Sequence, residues 1–208
     1  MPSSPRRRFV AALTLTLSAG AIFAALTSPS GAAPHIEGPG TICGGKLWRL
    51  MTLSDPQRMK VNLHGRPTTI AEIAEWREPG RTLSRRATRF QRQVWRFQTV
   101  IDRYRIASNG EIVLILYNIQ SAQYMNAYLP NPHCLGQRAR DRTGMIAARR
   151  ELTSHCPPAT AAWHLLGVTV DVGGVGFWNP TTATRGALRN GAELRPLTNF
   201  KIVSGCGR

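Results

Sequence analysis

The stretch VDVGGVGFWNPTTATRGALRNGAELRPL, residues 170–197, gathers glycines, arginines, a tryptophan and two acids into a single segment. Three kinds of chemistry use such residues. A dinucleotide-binding turn needs G-x-G-x-x-G between a strand and a helix, so that the helix N-terminus meets the phosphates. Here Gly174 and Gly176 are followed by Phe177 and Trp178, with no helix-forming run behind them, which excludes that turn. Nucleophilic catalysis has no G-x-S-x-G. The four cysteines, Cys43, Cys134, Cys156 and Cys206, form an even set expected in disulfides, which leaves no thiolate. Metal chemistry lacks a C-x2-C spacing or a D-x-D pair, and the five histidines are scattered. No catalytic residue, metal or cofactor is therefore expected. What remains is binding: Arg185, Arg189 and Arg195 as anion-gripping forks, with Trp178 as a flat neighbour. Glu193, a lone acid among strand residues, is expected to pair with a nearby arginine.

The chain opens with Arg6-Arg7-Arg8, an apolar run over residues 9–26 and a small-residue exit at Ser30-Gly31-Ala32. That order reads as an export signal over residues 1–32. The arginine run also resembles a twin-arginine signal, although Pro5 stands where Ser or Thr is usual, so Sec and twin-arginine export both remain open. With the signal set aside, no transmembrane segment is expected. Export makes two disulfides the default. Cys134 and Cys156 bracket a predicted helix, while Cys43 and Cys206 lie towards the two ends of the domain. Chain termini are often close, so the expected pairs are Cys43 with Cys206 and Cys134 with Cys156.

The formal charge is +16, nearly all of it arginine, since only Lys46, Lys60 and Lys201 are lysines. A polyanion partner, nucleic acid or an acidic glycan, is one reading. Arginine-rich codon usage on a solvated surface is the other. Beyond the export signal, only Arg85, Arg86 and Arg89 form a tight cluster.

These residues must be positioned by elements that periodicity reveals. Thr69 and Glu72 form a capping box opening a short helix with Ile70, Ile73 and Ala74 on one side. Residues 80–90 read as an exposed basic connector, so that residues 33–90 form an N-terminal arm and connector, with the arm loose over residues 43–63. From Val94, alternation in VWRFQTVIDRYRI predicts a half-buried strand. Asn109-Gly110 marks a hairpin turn. EIVLILYNI, YMNAYL, residues 165–177 and residues 192–203 supply four further strands. An arginine-covered amphipathic helix over residues 137–155 separates the third strand from the fourth. This is the order of an OB-fold, a five-stranded barrel, here over residues 91–208. Gly173, Gly174 and Gly176 then serve the bending of the fourth strand. The expected core includes Phe97, Ile101, Val113, Ile115, Val168, Val170, Val175, Leu194 and Leu197.

OB-folds bind oligonucleotides and oligosaccharides on strands two and three, between the loops joining strands one to two and four to five. In this chain those loops are residues 108–110 and 179–190, with Tyr117, Tyr124 and Tyr128 on the strands. The expected function is an exported, disulfide-stabilised binding module. An envelope or assembly protein with no small ligand is the alternative, and a barrel nuclease is a third reading.

CGGKLWRLMTLSD, GRPTTIAEI, YLPNPHC, VTVDVGGVGFWN and NGAELRPL, in this order from Cys43 onward, resemble a group of secreted bacterial proteins of unassigned function. Their pattern ends in V-T-G-V-G-F-F-D, then H-G-Q-T-G, then N-G-I-E-L-H-P-V. This chain has Asn179 in place of the Asp, Thr182-Ala183-Thr184-Arg185-Gly186 in place of H-G-Q-T-G, and Arg195 in place of the second His. Acid–base or metal chemistry that such Asp and His residues would supply is therefore not expected here.

Overall fold

A computed structural model of the chain describes residues 43–45, 47–80, 83–179 and 183–206. The export signal expected over residues 1–32 lies outside them. The elements run α1 (Trp48–Met51), β1 (Asn62–Pro67), α2 (Ile70–Ala74), β2 (Gln93–Ile106), β3 (Ile112–Asn118), β4 (Gln123–Leu129), α3 (Arg142–His155), β5 (His164–Trp178) and β6 (Ala192–Ser204). Among the described residues no helix is long and apolar enough to cross a membrane.

The architecture is mainly β, a six-stranded mixed sheet in the order β1-β2-β3-β4-β6-β5. β2 also pairs with β5, so β2 to β6 form a near-ring. All its contacts are antiparallel except β4 with β6, which is parallel and rests on one bridge, Ala127 to Leu194. That bridge is the weak seam of the ring. β2–β6 are the five strands expected from periodicity, and α3, the one longer helix, falls after β4. β1, parallel to β2, was not expected. Its residues are nearly all exposed, so it shows no apolar alternation.

The ring closes because its strands are long and bent. β2 shifts register at Ile101 to Arg103 against both of its ring partners, β3 and β5. β5 slips against β6 on either side of Gly174, and a Cβ there would come within 2.8 Å of Leu197 and 2.9 Å of Leu194. The glycine run thus lets two strands approach where the sheet turns, as expected.

Ile101, Leu114, Leu116, Met125, Ala127, Val170 and Leu194 pack inside the ring, where α3 inserts Ala148 and Leu152. All the expected core residues are buried. Val175 faces a separate cluster with Leu53, Val61 and Val94, so the arm is not loose but packed on the outside of the sheet. The connector is not exposed along its length either, because Leu83, Arg86 and Phe90 are buried. Arg86 Nε donates to Asp55 Oδ2 at 3.0 Å, Nη1 to the carbonyl of Gln91 at 3.0 Å and Nη2 to that of Leu50 at 2.8 Å. Burial lowers the pKa of Arg86, and Asp55 opposes that shift.

The disulfides differ from expectation: Cys43 pairs with Cys134, and Cys156 with Cys206. The reason is the path of the arm. It runs beside the segment entering α3, where Arg140 donates to the carbonyls of Arg58 and Val61. β6 instead runs along α3, with Ile202 N–H donating to Glu151, and ends beside the last turn of that helix. Two disulfides mark an oxidising, extracytoplasmic environment. Their sequence separations of 91 and 50 residues correspond to ~4–5 kcal/mol of chain-entropy stabilisation each.

The Arg86 cluster yields a first prediction. Arg86→Ala leaves the Asp55 carboxylate and two carbonyls buried without their donor, so it should cost about 3–5 kcal/mol in urea unfolding. Arg85→Ala, exposed one residue earlier, should change stability by less than about 0.5 kcal/mol. Equal, small effects would contradict the role assigned to Arg86.

Candidate functional site

Strand alternation gives β3, β4 and β6 an inner and an outer face. Leu114, Met125, Ala127 and Leu194 point inward. Val113, Ile115, Asn126, Tyr128, Glu193 and Arg195 point outward, as does Glu111 just before β3. Yet every one of these outward residues is buried. The β5–β6 loop folds back over them. Gly186, at φ +77°, sits so close that a Cβ would lie 2.7 Å from both Asn126 Oδ1 and Ile115 Cγ2. The result is a second, polar layer outside the ring, beside the seam between β4 and β6.

Arg195 is the centre of that layer. Its guanidinium pairs with the Glu111 carboxylate through both Nε and Nη2. Nη1 lies 3.6 Å from Glu193 Oε1, and the group sits 4.1 Å over the Tyr128 ring. Burial opposes the Arg195 cation, but Glu111 and Glu193 outweigh it and raise its pKa. Glu193 receives less from the pair, because Glu111 already takes two of the arginine donors. Burial therefore raises the Glu193 pKa to about 7, despite Arg195 and an Asn179 donor at 3.0 Å. Burial, and then Glu193, raise the pKa of Tyr128 as well.

Outside this layer lies a cleft of about 360 Å³ between residues 107–109 of the β2–β3 loop and residues 184–185 of the β5–β6 loop. Glu111, Asn126, Tyr128 and Arg195 line its floor, and Arg105, Trp163 and Arg185 its walls. Arg105 stacks on Trp163 at 5.0 Å. Two buried polar atoms of the lining, Arg105 Nε and Asn126 Oδ1, have no hydrogen-bond partner. Native interiors seldom leave such atoms unpaired. A larger hollow, about 660 Å³, lies between Arg66, Trp76, Arg89 and Trp95, but no buried unpartnered atom lies in its lining.

The structure divides the four expected binding residues. Arg185 is exposed on the lip of the cleft. Arg195 is not part of a basic rim, being buried in the floor and neutralised by two carboxylates. Arg189 is exposed but lines a neighbouring hollow with Tyr124 and Glu75. Trp178 is core: its indole N–H donates to Thr88 Oγ1 at 3.0 Å, and its ring packs 4.7 Å from Phe90. Arg105, Glu111, Asn126 and Trp163 escaped the sequence reading. Asn126 carried a signal, as the one polar residue within the run YMNAYL. Glu193 does pair with a nearby arginine, as expected. A carboxyl titrating near neutrality is what acid–base catalysis uses, but Glu193 lies beneath the cleft and not among its lining residues.

Among the described residues no group of three or more His, Cys, Asp or Glu is arranged to hold a metal ion. No protein-family model matches the chain, and a search of the curated proteins finds no match.

Glu193 gives the site a pH signature. Its folded pKa of about 7 lies above the ordinary 4.5, so the folded state binds the proton more tightly than the unfolded chain. That stabilisation is complete below about pH 4.5 and is lost as pH rises to about 7. Unfolding free energy measured across this window should fall by on the order of 1–3 kcal/mol more in the wild type than in Glu193→Gln. Parallel profiles for the two proteins would show that Glu193 is ionised throughout.

Proposed function

We propose that the protein is an exported, disulfide-stabilised binding module on an OB-fold-like barrel, and that its ligand is anionic, a nucleic acid or an acidic glycan. The observation that carries this reading is a cleft flanked by the β2–β3 and β5–β6 loops, with Arg105 in its wall and the exposed Arg185 at its lip. These two loops and the outer face of the middle strands are where OB-folds take their ligands. Arg105 and Arg185 supply guanidinium forks suited to carboxylate or phosphate oxygens. The motif resemblance to secreted bacterial proteins and the arginine-led, apolar N-terminus support export, by Sec or by the twin-arginine route.

Affinity for a polyanion carried by these arginines should fall steeply with salt. The probes are a fifteen-residue oligothymidylate and a heparin-derived octasaccharide, measured by fluorescence anisotropy at two salt concentrations. The double variant Arg105→Ala/Arg185→Ala should bind the preferred probe at least about tenfold more weakly, with a log–log salt slope smaller by about 1–2. Arg150→Ala, exposed on α3, should leave both unchanged. Equal losses from Arg150→Ala would mean diffuse charge attraction, and the proposal would fail.

A further inference from the structure

Two carboxylates share one buried guanidinium beneath the cleft, and they do not share it equally. Glu111 takes Arg195 Nε and Nη2 and also accepts from Asn109 Nδ2. Glu193 keeps only Nη1, at 3.6 Å from its Oε1, which is beyond hydrogen-bond reach. Its Oε2 accepts from Asn179 Nδ2 at 3.0 Å, while Oε1, sealed from solvent, accepts no hydrogen bond. A buried carboxylate short of donors is costly, whereas a neutral carboxylic acid is tolerated. Glu193 is therefore the member of the cluster that gains and loses a proton.

The charged and titratable groups around it are few. Among the described residues, Arg195 faces it from β6 itself, Tyr128 from β4 and Glu111 from the segment before β3. On the β5 side it meets Phe177 across the ladder and Asn179 just past the strand, both uncharged. Arg149 of α3 acts on Glu111. With Glu193 neutral, Arg195 and Glu111 cancel. Ionised, it adds one negative charge directly behind Tyr128 and Arg195, two residues of the cleft floor. A buried charge is screened far less than a surface one, so it acts on whatever occupies the cleft. The Glu193 pKa of about 7 sets the change near neutrality.

We infer that Glu193 is a proton gate on the cleft: its neutral form lets an anion bind, and its ionised form repels the anion. This rests on the assignment of the cleft as an anion site and holds for either class of anion. Anion affinity then rises as pH falls through neutrality, and by linkage a bound anion draws a proton onto Glu193. Arg105 and Arg185 take no part in the titration, since a guanidinium stays charged.

Fluorescence anisotropy with the heparin-derived octasaccharide and the fifteen-residue oligothymidylate, at about pH 5.5 and about pH 8, tests the gate on either side of neutrality. Glu193→Gln keeps the neutral shape. At the higher pH it should bind the preferred probe about fivefold more tightly than the wild type, and at the lower pH equally. Histidines titrate alike in both proteins, so the difference between them carries the reading. Carboxyl carbon-13 NMR of the wild type needs no variant: saturating probe should raise the Glu193 midpoint by about 0.7 pH units. Equal affinities of the two proteins at the higher pH, or a Glu193 midpoint unmoved by bound probe, would overturn the gate. Probe binding that Arg105→Ala/Arg185→Ala abolishes would in that case leave the anion site standing. No binding of either probe at either pH would remove the site and the gate together.

Discussion

A buried cation must be neutralised where it sits, and Arg195 shows how much structure follows from that requirement. Removing a guanidinium from water costs several kcal/mol unless close carboxylates and hydrogen bonds compensate. Here the compensation comes from Glu111, at the end of the β2–β3 loop, and Glu193, two residues away on the same strand. The Tyr128 ring supplies a third face. These groups come from three neighbouring strand segments and meet beside the one bridge that joins β4 to β6. The ion cluster therefore reinforces the ring where its backbone pairing is thinnest. It also fixes the floor of the cleft, since Glu111, Tyr128 and Arg195 are part of that floor.

The same logic governs other arginines. Arg86 is spent on Asp55 and two carbonyls inside the arm. Arg140 holds the arm to the segment before α3, and Arg149 donates to the carbonyls of Gly110, Leu129 and Pro130, tying α3 to the ends of β3 and β4. A formal charge of +16 thus overstates the cationic surface, because several guanidinium groups act as multi-donor staples for backbone oxygens. What they leave at the cleft is a pair of wall arginines, Arg105 half-buried and Arg185 exposed, over a mixed, nearly neutral floor.

This division also explains what the sequence could reveal. The strands of the ring are legible because alternation in β2, the Asn109-Gly110 turn and the apolar run of β3 each follow from one-sided or two-sided burial. The short helix α2 is legible from its capping box, which forms with Thr69 and Glu72 as expected. β1 is not, because an exposed edge strand has no burial to pattern it. Arg86 and Arg195 look in sequence like any solvated arginine, and only three-dimensional neighbours mark them as interior. Trp178 misleads in the opposite sense: a tryptophan next to a polar loop suggests a binding face, while Phe90 and Thr88, distant in sequence, make it core. The disulfides could not be read from spacing, since the path of the arm across the sheet decides which sulfurs meet.

The central claim is that ligand contact falls on the outer face of β3 and β4 beneath the β5–β6 loop, and not on the arginines at large. Amide hydrogen exchange followed by mass spectrometry, with and without saturating heparin-derived octasaccharide, addresses this segment by segment. The account predicts slowed exchange in peptides covering residues 105–111, 123–129 and 183–191, with residues 142–155 of α3 unchanged. Protection centred on α3, or spread evenly over the arginine-bearing surface, would contradict it.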